Sequence, residues 1–255
     1  MRLSFDTSLS EKYNSSAQKI RVMSESWLGD NMYCPNCGNP RISHLTNNSP
    51  VADFQCDNCG EIYELKSKNG SLGKKIADGA YSTMIERITS DSNPDLFLLQ
   101  YSDSFSVTGL LLIPRFFFVP EIIEKRKPLA ETARRHGWVG CNILFGDIPE
   151  QGRISVIHNS SILDQQDVIH SYNHIKQLQT KSLESRGWLL DVLNCVNDIH
   201  KIEFTLSDVY AYVEVLQKKH INNNNVEAKI RQQLQFLRDK GFIEFLGKGC
   251  YRKVL

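Results

Sequence analysis

The stretch from Val51 to Lys68 reads VADFQCDNCGEIYELKSK. Cys56 and Cys59 lie at its centre as a C-x2-C pair, and residues typical of strands stand on both sides of that pair. The pattern predicts a strand, a tight turn that carries the two cysteines, and a second strand over Glu61 to Lys66. Because only this turn separates the two strands, we expect them to pair as a hairpin.

Another C-x2-C pair, Cys34 and Cys37, lies before Cys56 and Cys59 in the chain, and 18 residues (38 to 55) separate the two pairs. This spacing is typical of structural zinc sites, in which four thiolates surround the ion as a tetrahedron. A redox pair needs only one such motif, and disulfides need an oxidising compartment. We therefore predict structural Zn2+ bound by Cys34, Cys37, Cys56 and Cys59. Four thiolates leave no open position on the metal, which disfavours a zinc-dependent hydrolase.

The composition limits where this chain can act. Its 255 residues carry a net charge of +1 and seven cysteines. The odd cysteine count and the absence of a signal-type N-terminus indicate a reducing compartment, so we expect a cytoplasmic protein. The sequence contains no run of about 18 apolar residues, so it predicts no membrane span. We expect the three isolated cysteines, Cys141, Cys195 and Cys250, to be small buried side chains.

The predicted hairpin also carries two acids and a lysine. Side chains alternate along a strand, so Glu64 and Lys66 should share one face and Leu65 the other, and pairing would bring Asp53 close to Glu64. The two carboxylates and the backbone carbonyl of Leu65 form an oxygen site suited to Mg2+. Beside it, Lys66 can position or help deprotonate a water. Such a site suits metal-assisted phosphodiester hydrolysis, whereas the triplet alone is more often a solvated strand face.

The rest of the N-terminal part alternates between strand and helix patterns. Apolar residues at helical spacing predict a helix over Ile76 to Thr89. Asp95 to Tyr101 and Ser106 to Pro114 are predicted as buried strands. A further helix is expected between Pro128 and His136. The fold class is therefore mixed α/β, with a sheet flanked by helices.

The C-terminal part is more regular and predicts a second domain. From about Ile162 to Leu183 the composition becomes polar, which indicates a boundary. A helix follows, then a second helix with its N-cap at Ser207, a third over Val226 to Lys240, and a hairpin with its tip at Gly247-Lys248-Gly249. Three helices and a terminal hairpin predict a winged helix. The predicted domains are residues 1–180 and 181–255.

A winged helix places its recognition helix in the DNA major groove, with the hairpin near the phosphates. Asn and Gln can hydrogen-bond adenine, Arg can hydrogen-bond guanine, and lysines can contact phosphates. Protein contacts are the alternative use of the domain. The candidate DNA-binding residues here are Asn225, Lys229, Arg231, Gln232, Lys248 and Arg252.

Trp138 follows a basic run that contains Arg134 and Arg135. A tryptophan on a loop could contact an apolar methyl group on a base while the arginines contact phosphate. A place in the core is an equal alternative for Trp138. Trp27 and Trp188 have apolar helical neighbours and are expected in the core.

The acid, spacer and Glu64-Leu65-Lys66 strand resemble the PD-(D/E)xK nuclease family, although Pro50 is not adjacent to Asp53 as in the strict motif. Over its full length the chain is similar to methyl-directed type II restriction endonucleases, which join a PD-(D/E)xK nuclease core holding a nested four-cysteine zinc site to a winged-helix domain. The resemblance implies Mg2+-dependent double-strand cleavage at G-A-T-C when the adenine carries an N6-methyl group. It assigns catalysis to Asp53, Glu64 and Lys66.

Two functions therefore remain open at this point. The first is a methyl-dependent endonuclease that acts on double-stranded DNA as a monomer, without an obligate protein partner or a membrane. The second is a non-catalytic regulator, built from a zinc ribbon and a winged helix, in which the acids and the lysine are surface charges.

Overall fold

The computed structural model describes residues 1–45, 52–90, 92–180 and 182–254. Pro50, on which the departure from the strict nuclease motif rests, lies outside these residues. The chain forms two compact units. The first comprises Met1–Gly146 and Gln151–Lys176, and the second Asp147–Glu150 and Gln177–Leu255.

The first unit is a mixed α/β structure, as the sequence predicts. Its helices are α1 (Ser16–Asn31), α2 (Tyr81–Thr89) and α3 (Gln165–Lys176). Its strands are β1 (Ser43–His44), β2 (Phe54–Gln55), β3 (Ile62–Asn69), β4 (Ile76–Ala80), β5 (Asp95–Tyr101), β6 (Val107–Ile113), β7 (Ile123–Lys125), β8 (Gly140–Ile143), β9 (Ile154–His158) and β10 (Ser161–Ile162). Short 3-10 turns cover Thr7–Ser10, Arg115–Phe117 and Pro120–Ile122, and two more, Phe145–Asp147 and Glu150–Gly152, span the points at which the chain leaves and re-enters this unit.

A seven-stranded sheet in the order β1-β2-β3-β5-β6-β9-β10 forms the centre of this unit. Strands β3 and β5 are parallel, and the other neighbouring pairs are antiparallel. The central strands β5 and β6 are almost wholly buried, with Phe97, Leu99, Leu110 and Leu112 at zero exposure. These strands are apolar on both faces because both faces are covered, which is why the sequence shows continuous apolar runs there.

A separate three-stranded sheet in the order β4-β8-β7 corrects two predictions. The helix predicted over Ile76 to Thr89 begins only at Tyr81, because Ile76–Ala80 pairs with β8 as strand β4. The helix predicted between Pro128 and His136 is wrong. That segment is a loop between β7 and β8, closed by backbone hydrogen bonds between Leu129 and residues 137 and 138.

Over its described residues, the second unit consists of four helices and a small sheet. Three antiparallel strands in the order β11-β13-β12 form that sheet. The elements are α4 (Leu183–Asp198), β11 (Glu203–Thr205), α5 (Leu206–Tyr210), α6 (Val213–Lys219), α7 (Val226–Asp239), β12 (Ile243–Gly247) and β13 (Cys250–Lys253).

In this unit the terminal hairpin agrees with the sequence prediction, whereas the second helix differs from it. The terminal hairpin with its tip at Lys248 is confirmed, and Gly247, Lys248 and Gly249 all have positive φ. The predicted second helix is divided into α5 and α6. Its N-cap is Thr205 rather than Ser207, because Thr205 and Asp208 form a reciprocal capping box.

Most of the residues predicted to lie in the core are buried. Trp27 and Trp188 are 2% and 1% exposed, which confirms them as core residues. Cys141 and Cys195 are buried, but Cys250 is only half-buried. Among the residues that the structure describes, no helix is both long and apolar enough to cross a membrane.

Candidate functional site

The two strands around the second cysteine pair form the predicted hairpin. Strand β2 pairs antiparallel with β3, with Phe54 opposite Tyr63. The backbone N–H of Asp53 extends this pairing by donating to the Tyr63 carbonyl over 2.9 Å. The register therefore places the Asp53 side chain beside the Glu64-Leu65 segment.

Both cysteine pairs form the same tight turn. The N–H of Gly38 donates to the Cys34 carbonyl over 2.9 Å, and that of Gly60 donates to the Cys56 carbonyl over 2.8 Å. Both glycines have a φ of +75°, a conformation that side-chain-bearing residues rarely adopt. The two turns are thus alike in hydrogen bonding and backbone conformation.

The four cysteines predicted as zinc ligands come together between these turns. Their Sγ atoms all lie within 4.8 Å of one another, and the Cys34–Cys59 and Cys37–Cys56 distances are both 3.6 Å. A zinc tetrahedron with Zn–S bonds of about 2.3 Å has S–S edges of about 3.8 Å. The cluster could therefore bind zinc with little movement.

Hydrogen bonds to the sulfurs support the same assignment. Asn36 Nδ2 donates to Cys59 Sγ over 3.4 Å, and Asn58 Nδ2 donates to Cys37 Sγ over 3.5 Å. The Tyr63 hydroxyl lies 3.1 Å from Cys34 Sγ. Burial raises the pKa of the Cys34 thiol, although this contact with Tyr63 opposes the rise. A cation at the centre of the cluster would offset the cost of a thiolate there.

The acids and the lysine predicted as catalytic lie together on the hairpin. Asp53 Oδ2 accepts a hydrogen bond from the Leu65 N–H over 2.8 Å. Glu64 Oε1 lies 2.8 Å from Lys66 Nζ, which shows that these two side chains share a face of β3. Carboxylate and carbonyl oxygens are the ligands that Mg2+ prefers, so Asp53, Glu64 and the Leu65 carbonyl have suitable donor chemistry.

Two further residues, which sequence reasoning missed, contact this group. Asp78 Oδ1 lies 2.6 Å from Lys66 Nζ, and Arg87 Nη1 lies 3.5 Å from Glu64 Oε2. Burial alone would lower the pKa of Lys66, but the negative charges of Glu64 and Asp78 outweigh it, so the pKa is raised. The lysine is therefore a firmly charged ammonium between two carboxylates.

Asp78 escapes the sequence prediction because the segment that contains it is predicted as a helix, whereas it is a strand. Ile76, Ala80 and Met84 have helical spacing, so the segment was predicted as one helix, on which Asp78 would have no relation to Lys66. In strand β4 the residue instead faces Lys66. Tyr63 was missed for a different reason, because nothing in a sequence marks a buried hydroxyl as the neighbour of a cysteine.

Trp138 lies in the loop between β7 and β8, in the same unit as the hairpin. It is half-buried, and the Arg135 guanidinium lies 4.6 Å from its ring centroid. A Cβ atom on Gly140 would come within 2.8 Å of the Trp138 ring, so this glycine leaves the space that the ring occupies. Arg134 and Arg135 are exposed. The structure thus places Trp138 on a basic loop, neither in the core nor fully exposed.

The remaining predicted DNA-binding residues lie in the second unit. Asn225 is the N-cap of α7, and Lys248 is at the hairpin tip. Two of the arginines already have protein partners. Arg231 donates to the Tyr210 hydroxyl, and Arg252 forms ion pairs with Glu203 at 2.7 Å and Glu244 at 3.4 Å. Asn225, Arg231, Gln232, Lys248 and Arg252 are exposed, and Lys229 is half-buried.

Comparison with known families accounts for both units. A family model described as the Dam-replacing family matches residues 1–181. The chain belongs to this family. A second model, the Dam-replacing HTH domain, matches residues 184–253.

Membership in the Dam-replacing family confirms the full-length similarity to methyl-directed restriction endonucleases. At the family level the function is restriction by methyl-dependent DNA cleavage, with DNA binding by the HTH domain. The acid and lysine group of the hairpin lies within the part matched by the first model. The candidate residues of α7 and of the terminal hairpin lie within the part matched by the second.

Proposed function

We propose that this chain is a Mg2+-dependent endonuclease that cuts both strands of DNA at G-A-T-C when the adenine carries an N6-methyl group. One observation supports this most strongly: the Asp53 carboxylate is bound to the Leu65 N–H, next to the Glu64 and Lys66 pair. An arrangement of this kind in a family of restriction nucleases supports a PD-(D/E)xK core. The choice of G-A-T-C rests on the sequence resemblance.

Asp53, Glu64 and the Leu65 carbonyl would hold the Mg2+. Bound there, Mg2+ would neutralise charge on the scissile phosphate and make a water more acidic. The hydrogen bond from the Leu65 N–H fixes one oxygen of Asp53 and leaves the other for the cation. Lys66 contributes a positive charge beside the reacting phosphate, where developing negative charge needs stabilisation.

The two parts of the chain would have separate roles. We assign cleavage to residues 1–180 and further DNA binding, through a winged helix, to residues 181–255. Trp138 would contact the methyl group, with Arg134 and Arg135 on the adjacent phosphates. The four-cysteine cluster would bind Zn2+ as a structural ion, since its thiolates leave no position for a substrate.

Plasmid digestion tests this proposal. A plasmid methylated on adenine at G-A-T-C and an unmethylated plasmid would each be incubated with the wild type and with Asp53→Ala, with and without Mg2+. Asp103→Ala is the matched control, because Asp103 is an exposed acid that bonds Asn69 at the opposite end of strand β3 from Glu64. We expect the wild type and the control to cut the methylated plasmid when Mg2+ is present. No cutting is expected for the unmethylated plasmid, for Asp53→Ala, or without Mg2+.

Two other outcomes would contradict the proposal. If no protein cuts either plasmid but the wild type retards DNA in a gel equally with and without Mg2+, the chain is a non-catalytic regulator. If Asp53→Ala cuts as fast as the wild type, the hairpin is not the site of the reaction.

A further inference from the structure

The Lys66 ammonium lies between two carboxylates, and the two contacts are not equivalent. Its Nζ is 2.6 Å from Asp78 Oδ1 and 2.8 Å from Glu64 Oε1. The Asp78 side chain is 8% exposed, whereas that of Glu64 is 21% exposed. The more buried carboxylate therefore makes the shorter contact. A buried ion pair is screened less by water and salt than an exposed one.

The backbone around Asp78 is fixed independently of Lys66. Strand β4 pairs with β8, and Asp78 stands opposite Cys141 in that register. Asp78 Oδ1 also accepts a hydrogen bond from the Gly79 N–H over 2.5 Å. Lys66 belongs to the seven-stranded sheet and Asp78 to the three-stranded sheet. The contact between them therefore ties the lysine to a second, separately built support.

Glu64 cannot provide the same support while it binds a metal. Its two carboxylate oxygens are divided between Lys66 and Arg87, at 2.8 and 3.5 Å. A cation held by Glu64 would compete with both of these contacts. A free lysine side chain samples many rotamers, and fixing one of them costs conformational entropy. Another anchor is needed if the ammonium is to stay in place during the reaction.

We propose that Asp78 is this anchor, a positioning residue that holds the Lys66 ammonium beside the scissile phosphate. The inference rests on the proposed function, because it assigns Asp78 a task in the same reaction. Asp78 would touch neither the DNA nor the metal. Its effect would pass entirely through Lys66, and removing Lys66 should therefore remove it.

A double-mutant cycle tests this dependence. Single-turnover cleavage of a methylated duplex at saturating Mg2+ would be measured for the wild type, Asp78→Asn, Lys66→Ala and the double variant, with Asp78→Glu as the conservative variant. We expect Asp78→Asn to cut roughly 10- to 100-fold more slowly, as for other residues that orient a reacting group. Asp78→Glu should recover part of the rate. In the Lys66→Ala background, Asp78→Asn should change the rate by less than about twofold.

Three other measurements separate positioning from simple structural damage. The affinity for the duplex in Ca2+, the Mg2+ concentration for half-maximal rate and the zinc content should all equal the wild-type values in Asp78→Asn. In the zinc-loaded protein without Mg2+, the lysine ammonium signals in a 1H–15N spectrum should include one from Lys66 that is absent in Lys66→Ala. This signal should broaden or shift in Asp78→Asn, because the ammonium has lost its anchor.

The contrary outcomes are distinct from failure of the proposed function. Wild-type rates in Asp78→Asn, or additive losses in the double variant, would overturn the role of Asp78 while leaving the nuclease intact. A higher Mg2+ requirement in Asp78→Asn would make Asp78 a metal ligand instead, which also overturns the proposal. Absence of cutting by the wild type would overturn both proposals together.

Discussion

Tyr63 connects the cysteine cluster to the candidate reaction centre, because it contacts both. Its hydroxyl lies 3.1 Å from Cys34 Sγ, its backbone carbonyl accepts from Asp53, and Glu64 follows it in the chain. A zinc ion held by the cysteines would thus fix strand β3 at the point where the two acids meet. The cluster and the acids are then parts of one structure, although they would bind different metals.

Replacing Tyr63 with Phe removes the hydroxyl and keeps the ring. We expect about 10-fold weaker zinc retention against a competing chelator, and a loss of about 1 to 2 kcal/mol in the free energy of unfolding. Tyr33→Phe is the matched control. The Tyr33 hydroxyl is buried and has no hydrogen-bond partner among the residues that the structure describes, so its removal should cost little. Equal zinc loss in the two variants would contradict the role of Tyr63.

Asp95 supplies a pH dependence that can be measured separately. It is fully buried and accepts hydrogen bonds from the Tyr172 hydroxyl over 2.6 Å and the Arg115 N–H over 2.8 Å. Burial raises the pKa of Asp95 from 3.8 to about 6, because these two bonds offset only part of the lost hydration. The native state therefore binds this proton more tightly than the unfolded chain. The resulting stability is present at low pH and is lost as the pH rises toward 6.

Asp95→Asn lacks this titration. The free energy of unfolding of the wild type, relative to that of the variant, should therefore fall by up to about 3 kcal/mol between about pH 4 and pH 7. Urea unfolding of both proteins at several pH values measures the difference. Effects of pH on the cysteines and on other acids occur in both proteins and largely cancel. A difference that stays constant across this range would show that Asp95 keeps an ordinary pKa.

At the scale of elements, helix α5 begins two residues earlier than the sequence predicts, since its N-cap is Thr205 and not Ser207. Thr205 Oγ1 accepts from the Asp208 N–H over 3.2 Å, and Asp208 Oδ2 accepts from the Thr205 N–H over 2.7 Å. Thr205→Ala should therefore destabilise α5 by about 1 kcal/mol, whereas Ser207→Ala should not. Hydrogen exchange of the amides of Leu206–Tyr210 measures this, with about fivefold faster exchange expected for Thr205→Ala alone. Similar exchange in both variants would contradict the assigned cap.

Elements that depend on neighbouring residues were predictable from the sequence, and those that depend on distant partners were not. The hairpin of β2 and β3 follows from alternation and from the cysteine turn between its strands. Strand β4 does not, because its residues also fit a helix and only pairing with β8, about sixty residues later in the chain, decides the outcome. Missing this strand also meant missing Asp78. The sequence therefore predicts the part of the candidate site that lies on the hairpin, namely Asp53, Glu64 and Lys66, but not the part contributed by β4.

At the scale of the whole molecule, the two family matches divide the chain much as the compact units do, at residues 181–184 and 176–177 respectively. A net charge of +1 gives DNA no general attraction to the chain. Binding must then come from local groups, for which the proposed candidates are Lys248 on the terminal hairpin and Arg134 and Arg135 on the loop before Trp138. Such contacts would lie in both matched parts, which is consistent with DNA binding by each of them.

Removal of zinc tests whether the cysteine cluster supports the whole nuclease part. Zinc binding and folding are linked, so a zinc-selective chelator should lower the unfolding temperature and abolish cleavage even in excess Mg2+. Adding Zn2+ back should restore both, and Mg2+ alone should restore neither. Asp53→Ala should show the reverse pattern, keeping its zinc, its unfolding temperature and its DNA affinity while failing to cut. Cleavage that survives complete loss of zinc, checked by metal analysis, would mean that the β2–β3 hairpin holds Asp53 and Glu64 without the cluster.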